Sequence, residues 1–199
     1  MKLALTFDDG PSPWTAAVLD LLREYEARAT FFLIGARVRE RPDDVRRIAA
    51  EGHEVGSHTL THPRLTEIGD EEARAEILGG VEALEEVLGE RPQLFRAPGF
   101  HADERVLAIV SELGLEPVFA DVDPQDWRPE RDSHTIFSLV LRELREGVIV
   151  DLHDGYPPPP TSSRTDCTPT VAALDHLLPC LRAEDYETVT ISELGVQPC

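Results

Sequence analysis

The sequence predicts one α/β domain with parallel strands, and its polar residues favour a (β/α) barrel as the form that domain takes. Two patterns carry this expectation. Apolar, strand-like runs alternate with helix-like segments along the chain, and Asp8, His58, Arg96, Asp126 and His153 each follow an apolar or extended run. Parallel strands need long crossovers, which intervening helices supply. Roughly six to eight such units fit either a barrel or an open doubly wound sheet. Polar residues at the carboxyl ends of strands sit where barrels build active sites, which tips the choice. The 199 residues suffice for a single domain, 1–199, with a full core.

The elements follow in order. Residues 1–7 form a strand that ends at Asp8 and Asp9. Residues 14–28 place Trp14, Val18, Leu21, Leu22 and Tyr25 at helical spacing behind Ser12-Pro13. A strand over 29–34, a helix over 42–51 closed by Gly52, and a short extended piece over 54–56 lead to His58. The clearest helix is 70–88, with Asp70 as its cap, an acidic first turn and a stripe of Ile77, Val81, Leu84 and Leu88. Gly79-Gly80 inside it weakens the helix and marks a close contact. Then come a strand at 94–95, a helix at 103–113, an extended piece at 117–121, a helix at 133–145, a strand at 148–152, a helix at 171–181 and a last strand at 188–191. The irregular stretch 155–169 contains Pro157 to Pro160 and reads either as a stiff wall of the cleft or as a plain surface loop.

Composition narrows the function classes. An apolar fraction of 41% argues for a folded globule. The 38 acidic and 19 basic side chains leave a formal charge of −19, which repels nucleic-acid phosphates and anionic lipid, so neither is an expected partner. No run approaches the roughly 18 apolar residues of a membrane span. The start is too short for a secretion signal, so the expected location is cytoplasmic, or extracellular if a leader has been removed. Protein partners are not legible. Cys167, Cys180 and Cys199 are odd in number and lack a short paired spacing, against a disulfide scaffold or structural zinc site, while one Cys167–Cys180 bridge stays open.

The chemistry concentrates in a few segments. Adjacent carboxylates at a strand end repel and lose hydration on burial, so Asp8-Asp9 points to a shared cation. His58 and His62, four apart, meet on one helix face or around a tight loop. With Asp9 they make a two-imidazole, one-carboxylate site for a divalent ion with positions left for water and substrate. Neighbours on a strand point to opposite faces, so Asp9 is assigned as ligand and Asp8 as general base on the attacking water. Arg96 is placed to hold a carboxylate in a bidentate contact, or else to form a structural salt bridge. His153 is the candidate general acid, charged if a carboxylate holds it; Asp126 is preferred for that role over Asp123, because Trp127 beside it shields the contact and offers an apolar face to a sugar ring, and Asp151 and Asp154 stay open. His53 reads as structural. No G-x-S-x-G elbow, phosphate loop or H-E-x-x-H occurs, which leaves metal-bound water as the economical nucleophile.

Five segments in order resemble the NodB-type polysaccharide deacetylases of the fourth carbohydrate esterase family: Thr6-Phe7-Asp8-Asp9-Gly10, Ser57-His58-Thr59-Leu60-Thr61-His62, Arg96-Ala97-Pro98-Gly99-Phe100, Asp123-Pro124-Gln125-Asp126-Trp127 and Val150-Asp151-Leu152-His153-Asp154. The resemblance runs from Leu3 to about Leu194. It implies a distorted barrel with seven to eight strands, a zinc ion (or cobalt or another divalent metal) on Asp9, His58 and His62, Asp8 as base contacted by Arg96, and His153 as acid. The implied reaction removes N-acetyl or O-acetyl groups from an acetylated sugar or glycan, with an oxyanion-binding N–H from Gly10 or Ser12, since Pro11 has none. Asp151 departs from the family, whose members usually carry an aliphatic residue there. Two rivals remain at this stage: hydrolysis of a non-acetyl C–N bond in a small molecule, and a non-catalytic carbohydrate-binding protein.

Overall fold

The computed structural model describes residues 1–157 and 166–195; Pro158 to Pro160, the rest of that loop up to residue 165, and Cys199 lie outside them. Among the described residues seven strands, all pairing in parallel, alternate with helices: β1 (Lys2–Asp8), α1 (Thr15–Glu24), β2 (Ala29–Leu33), α2 (Gly35–Glu40), α3 (Pro42–Ala50), β3 (Glu54–Ser57), α4 (Asp70–Leu88), β4 (Leu94–Phe95), α5 (Glu104–Glu112), β5 (Glu116–Pro117), α6 (Ser133–Arg142), β6 (Ile149–His153), α7 (Thr168–Ala183), β7 (Glu187–Thr188) and α8 (Ile191–Leu194). The strand order is β5-β4-β3-β2-β1-β6, with β7 on the start of β1. A single parallel bridge from Val122, just past β5, to Val150 on β6 links the two ends of this order. The result is the expected distorted barrel, well formed from β4 round to β6 and thin where β5 passes to Val122. Among the described residues no helix is long and apolar enough to cross a membrane.

Strand alternation sorts the side chains. On β1, Leu3, Leu5 and Phe7 join Val18, Leu19, Leu22, Leu174, Leu177 and Leu181 in the main core beneath the helices. Ala4 belongs instead to an apolar plug with Phe32, Leu94, Val118, Ile149 and Ile191. Above that plug the inward positions become polar. Thr6 pairs in register with Asp151, and Asp8 with His153. A third cluster, including Ile77, Val81, Phe95, Val106 and Ile109, fixes α4 and α5 against β4.

Several boundaries differ from the sequence expectation for local reasons. Helix α1 stops at Glu24 rather than residue 28, because Glu26 turns into the left-handed region (φ 55°) and Ala27 N–H bonds Leu22 O at 2.8 Å. Helix α2 has little periodicity of its own; its first N–H groups, on Gly35 and Ala36, donate to Thr59 O and Leu60 O. Gly69, not Asp70, is the N-cap of α4, and Asp70 instead accepts from Arg105. The last strand is only Glu187–Thr188, since Thr190 and Glu193 close a capping box that starts α8. No disulfide joins Cys167 and Cys180.

The glycine pair in α4 is a contact point. A Cβ on Gly80 would lie 2.6 Å from Ser57 Oγ and 2.7 Å from the Thr59 carbonyl, whereas one on Gly79 would meet only the Leu60 side chain, at 3.0 Å. Gly80 is therefore what lets the 57–62 loop sit on α4. Gly80→Ala should destabilise the fold by about 1–3 kcal/mol despite its better helix propensity, while Gly79→Ala should stay within about 1 kcal/mol of the parent. Urea unfolding decides this, and equal stabilities for the two variants would refute the contact argument.

Candidate active site and metal centre

The polar layer is organised on Arg96, which follows β4 and is fully buried. Its Nη1 donates to Thr6 Oγ1 (2.7 Å), Asp8 Oδ1 (2.8 Å) and Asp151 Oδ1 (3.0 Å), and its guanidinium lies over the Phe32 ring at 4.1 Å. Gly56 makes room for that ring, since a Cβ there would approach it to 2.6 Å. The contact to Asp8 uses one nitrogen, not the expected two-pronged fork: Nη1 alone serves Asp8, Asp151 and Thr6, and Nη2 is buried with no hydrogen-bond partner among the described residues. Burial raises the Asp8 pKa, but its neighbours, Arg96 foremost, outweigh it and hold the carboxyl below its usual range. Burial, reinforced by the Asp8 charge, pushes Asp151 well above the usual range. The two carboxyls that share one guanidinium are thus pushed in opposite directions, Asp8 down and Asp151 up.

The strand ends at Asp8, and Asp9 takes a left-handed φ of 72°. The pleat's alternation stops there, so both carboxylates face the same cavity rather than opposite sides. The cavity, of about 660 Å³, is lined by Asp8, Asp9, His58, His62, Asp151 and His153, with Phe100 and Trp127 at its walls. Gly10 serves close approach: a Cβ there would lie 2.5 Å from the Asp154 carboxylate. Asp154 is buried beneath this turn, accepts from Thr15 Oγ1, and is pushed by burial up to about 7, so it is not the partner of His153. Ser12 N–H is committed to Thr15 Oγ1 at 2.8 Å, which leaves Gly10 of the two expected oxyanion donors.

His58 and His62 meet through a tight loop, not a helix face. Thr59 and His62 both have left-handed φ (65° and 67°), and Thr61 N–H and Oγ1 anchor on Glu76 of α4. His58 Nδ1 lies 2.8 Å from Arg96 O; a carbonyl only accepts, so Nδ1 carries the proton and Nε2 offers a lone pair to the cavity. His58 Nε2 and His62 Nε2 are 3.6 and 3.2 Å from Asp9 Oδ1. Burial depresses His62 to about 4, which keeps it neutral and fit to ligate. Among the described residues Asp9 Oδ1 is buried with no hydrogen-bond partner, and the three donor atoms lie within 4.8 Å of one another. An orphaned carboxylate oxygen facing two imidazole nitrogens is a donor set that would fit a divalent cation.

His153 closes β6 opposite Asp8. Its Nδ1 is 2.7 Å from Asp126 Oδ1, and its backbone N–H donates to Asp126 Oδ2 at 2.9 Å. Thr170 Oγ1 also donates to Asp126, at 2.7 Å, a support from α7 that nothing in the sequence spacing signals. Burial opposes charge on the ring, yet Asp126 and Asp151 outweigh it and hold the His153 pKa well above the usual range. Asp123 instead accepts from Gln125 N–H, so Asp126 is the partner, as preferred. Trp127 is 39% exposed and stands at the cavity edge. His53 is a core residue: its Nδ1 accepts from Ala29 N–H, its ring meets Phe31 edge-on, and burial lowers its pKa to about 4.

A family profile described as polysaccharide deacetylase matches residues 1–118. The chain is 43% identical over 196 residues to a chitooligosaccharide deacetylase of Bradyrhizobium sp. (strain ANU 289), covering 96% of this chain and 89% of the relative. It is 42% identical to a peptidoglycan-N-acetylglucosamine deacetylase of Bacillus cereus, covering 96% and 87%. Among solved structures, the peptidoglycan deacetylase PdaC of Bacillus subtilis superposes with a TM-score of 0.85 at 34% identity, over 97% of this chain and 89% of that one. By sequence and by fold, the chain belongs to the polysaccharide deacetylase family.

Proposed function

We propose that the protein is a divalent-metal-dependent hydrolase that removes N-acetyl groups from an amino-sugar glycan, with Asp8 as general base and His153 as general acid. The observation that carries this reading is the convergence on one cavity of an Asp9, His58 and His62 donor set with an orphaned oxygen, of Asp8 paired with Arg96, and of His153 paired with Asp126. Family membership supports deacetylation of a carbohydrate as the activity class. The names of the relatives, chitooligosaccharide and peptidoglycan-N-acetylglucosamine deacetylases, support an N-acetylglucosamine unit as substrate.

A divalent ion held by Asp9, His58 and His62, zinc as the first candidate and cobalt as another, would polarise the acyl carbonyl and acidify a water. Asp8, kept ionised by Arg96, is placed to take the proton from the attacking water. His153, kept charged by Asp126, donates its Nε2 proton to the departing nitrogen, so the amine leaves neutral. Trp127 gives the sugar an apolar face at the cavity edge. Hydrolysis consumes one water and releases acetate and a free amino sugar.

Chelation should abolish acetate release from N-acetylglucosamine oligomers, and added zinc should restore it. Asp8→Asn should lower kcat about 10²–10⁴-fold while retaining zinc, whereas His58→Ala and His62→Ala should lose zinc as read by metal analysis. Full turnover in the Asp8 variant would refute the base assignment, and no acetate from any amino sugar or acetylxylan would refute the activity.

The His153 assignment has its own pH signature. Its charged form is the active one, and a raised pKa extends activity above pH 6.5 before it is lost as pH rises through that pKa. Asp126→Asn removes the negative neighbour, so the alkaline limb of kcat/KM and the His153 imidazole titration seen by NMR should both move to lower pH. An unmoved titration would show that another group charges the ring.

A further inference from the structure

Asp151 is a buried carboxyl that the scheme above leaves without a task. It sits on the inward face of β6 two residues before His153, is 2% exposed and lines the same cavity as Asp8 and His153. One oxygen accepts from Arg96 Nη1 at 3.0 Å. Asp8, Asp151 and His153 each offer an atom within 4.8 Å of the others. A carbonyl carbon that receives a water from Asp8 and gives its nitrogen to His153 must lie between those two side chains, and Asp151 is then beside the same carbon. The water and the leaving nitrogen have their partners in Asp8 and His153, and the carbonyl oxygen has its own in the Gly10 N–H and the Asp9, His58 and His62 donor set, so the substituent left to meet Asp151 is the acyl chain.

We propose that Asp151 is a specificity-determining residue that makes the acyl subsite polar, so that the enzyme prefers an amide whose acyl group bears a hydroxyl on the carbon next to the carbonyl, such as a hydroxyacetyl amino sugar, over one ending in an alkyl group of equal size. The inference rests on the deacetylase reading above. An alkyl group pressed on a buried carboxyl strips its hydration and returns nothing, whereas a hydroxyl replaces the lost hydrogen bond. A hydroxyl donates to the ionised carboxyl and accepts from the neutral one, so the preference holds in either protonation state. A site built around a hydrogen bond rejects the analogue lacking it far more strongly than an apolar pocket rejects a hydroxyl. The reaction is the same hydrolysis: water adds, the C–N bond breaks, and hydroxyacetate and a free amine leave.

Hydroxyacetyl and propionyl groups differ only by hydroxyl against methyl, which makes them the decisive pair. With zinc-loaded protein and glucosamine oligomers carrying acetyl, hydroxyacetyl or propionyl, wild-type kcat/KM should favour hydroxyacetyl over propionyl by about tenfold or more. Asp151→Leu should reverse that order, and Asp151→Asn, which keeps a hydrogen-bonding group on Arg96 and in the subsite, should keep it. Ratios within one variant cancel any general loss of activity, and the wild-type ratio stands even if Asp151→Leu fails to fold. A wild-type preference for propionyl, an unchanged ratio in Asp151→Leu, or an equal KM change for all three acyl groups would overturn the assignment. Acetate release with any of those results sinks only the role of Asp151, whereas no acid from any of the three amides sinks the deacetylase reading with it.

Discussion

The interior of this barrel depends on one buried cation. Arg96 stands on the Phe32 ring, above an apolar plug and below the reactive cavity, and its Nη1 faces two buried carboxyls. Breaking such a buried pair by removing one partner typically costs about 3–5 kcal/mol, because the other charge is left uncompensated. Arg96 is thereby tied to folding and to chemistry at once. Without it Asp8 would lose the strongest of the interactions that oppose burial, and its pKa would rise.

Strain gathers around the same cavity. Asp9, Thr59, His62, Phe100 and Gln125 all hold left-handed φ values although none is glycine, and they occupy the loops that follow β1, β3, β4 and the Val122 bridge. Such residues typically cost about 1–3 kcal/mol each and persist only where their surroundings over-determine them. Here the surroundings are visible: Thr59 and Leu60 carbonyls serve as acceptors for α2, Thr61 is pinned to Glu76, and Gly80 lets the loop settle on α4. The well-packed outer core and the third cluster on α4 and α5 provide the stability against which these loops are held.

Much of this was legible in the chain because it is local. The β1 and β6 runs, the 70–88 helix and the Leu94-Phe95 strand carry clear periodicity, and the site residues stand at strand ends where a parallel barrel needs them. The Gly79-Gly80 pair marked a close contact that the structure contains. What stayed hidden depends on tertiary partners. Helix α2 is held by carbonyls from a loop far along the chain, and Thr170 supports Asp126 across 44 positions. A two-pronged grip of Arg96 on Asp8 was expected from the pair alone; in the fold Nη1 serves Asp151 as well, and Nη2 does not bond Asp8. The period of two along β6 did carry that signal, since Asp151 shares a face with His153.

The same residue types do opposite work a few ångströms apart, and environment alone separates them. His62 is buried beside Asp9, yet burial dominates and its pKa falls to about 4, which suits a ligand with an open lone pair. His153 is also buried, but Asp126 touches its Nδ1 and Asp151 adds charge behind it, so its pKa rises and it holds a proton to give. Asp8 and Asp151 divide in the same way over one guanidinium. A site that pushes like groups apart in this manner sorts ligand, base and acid without needing different side chains for each role. The sorting depends on contacts of a single hydrogen bond's length. Under the proposed mechanism Asp126 is therefore as necessary to the acid as His153 itself, and Arg96 as necessary to the base as Asp8.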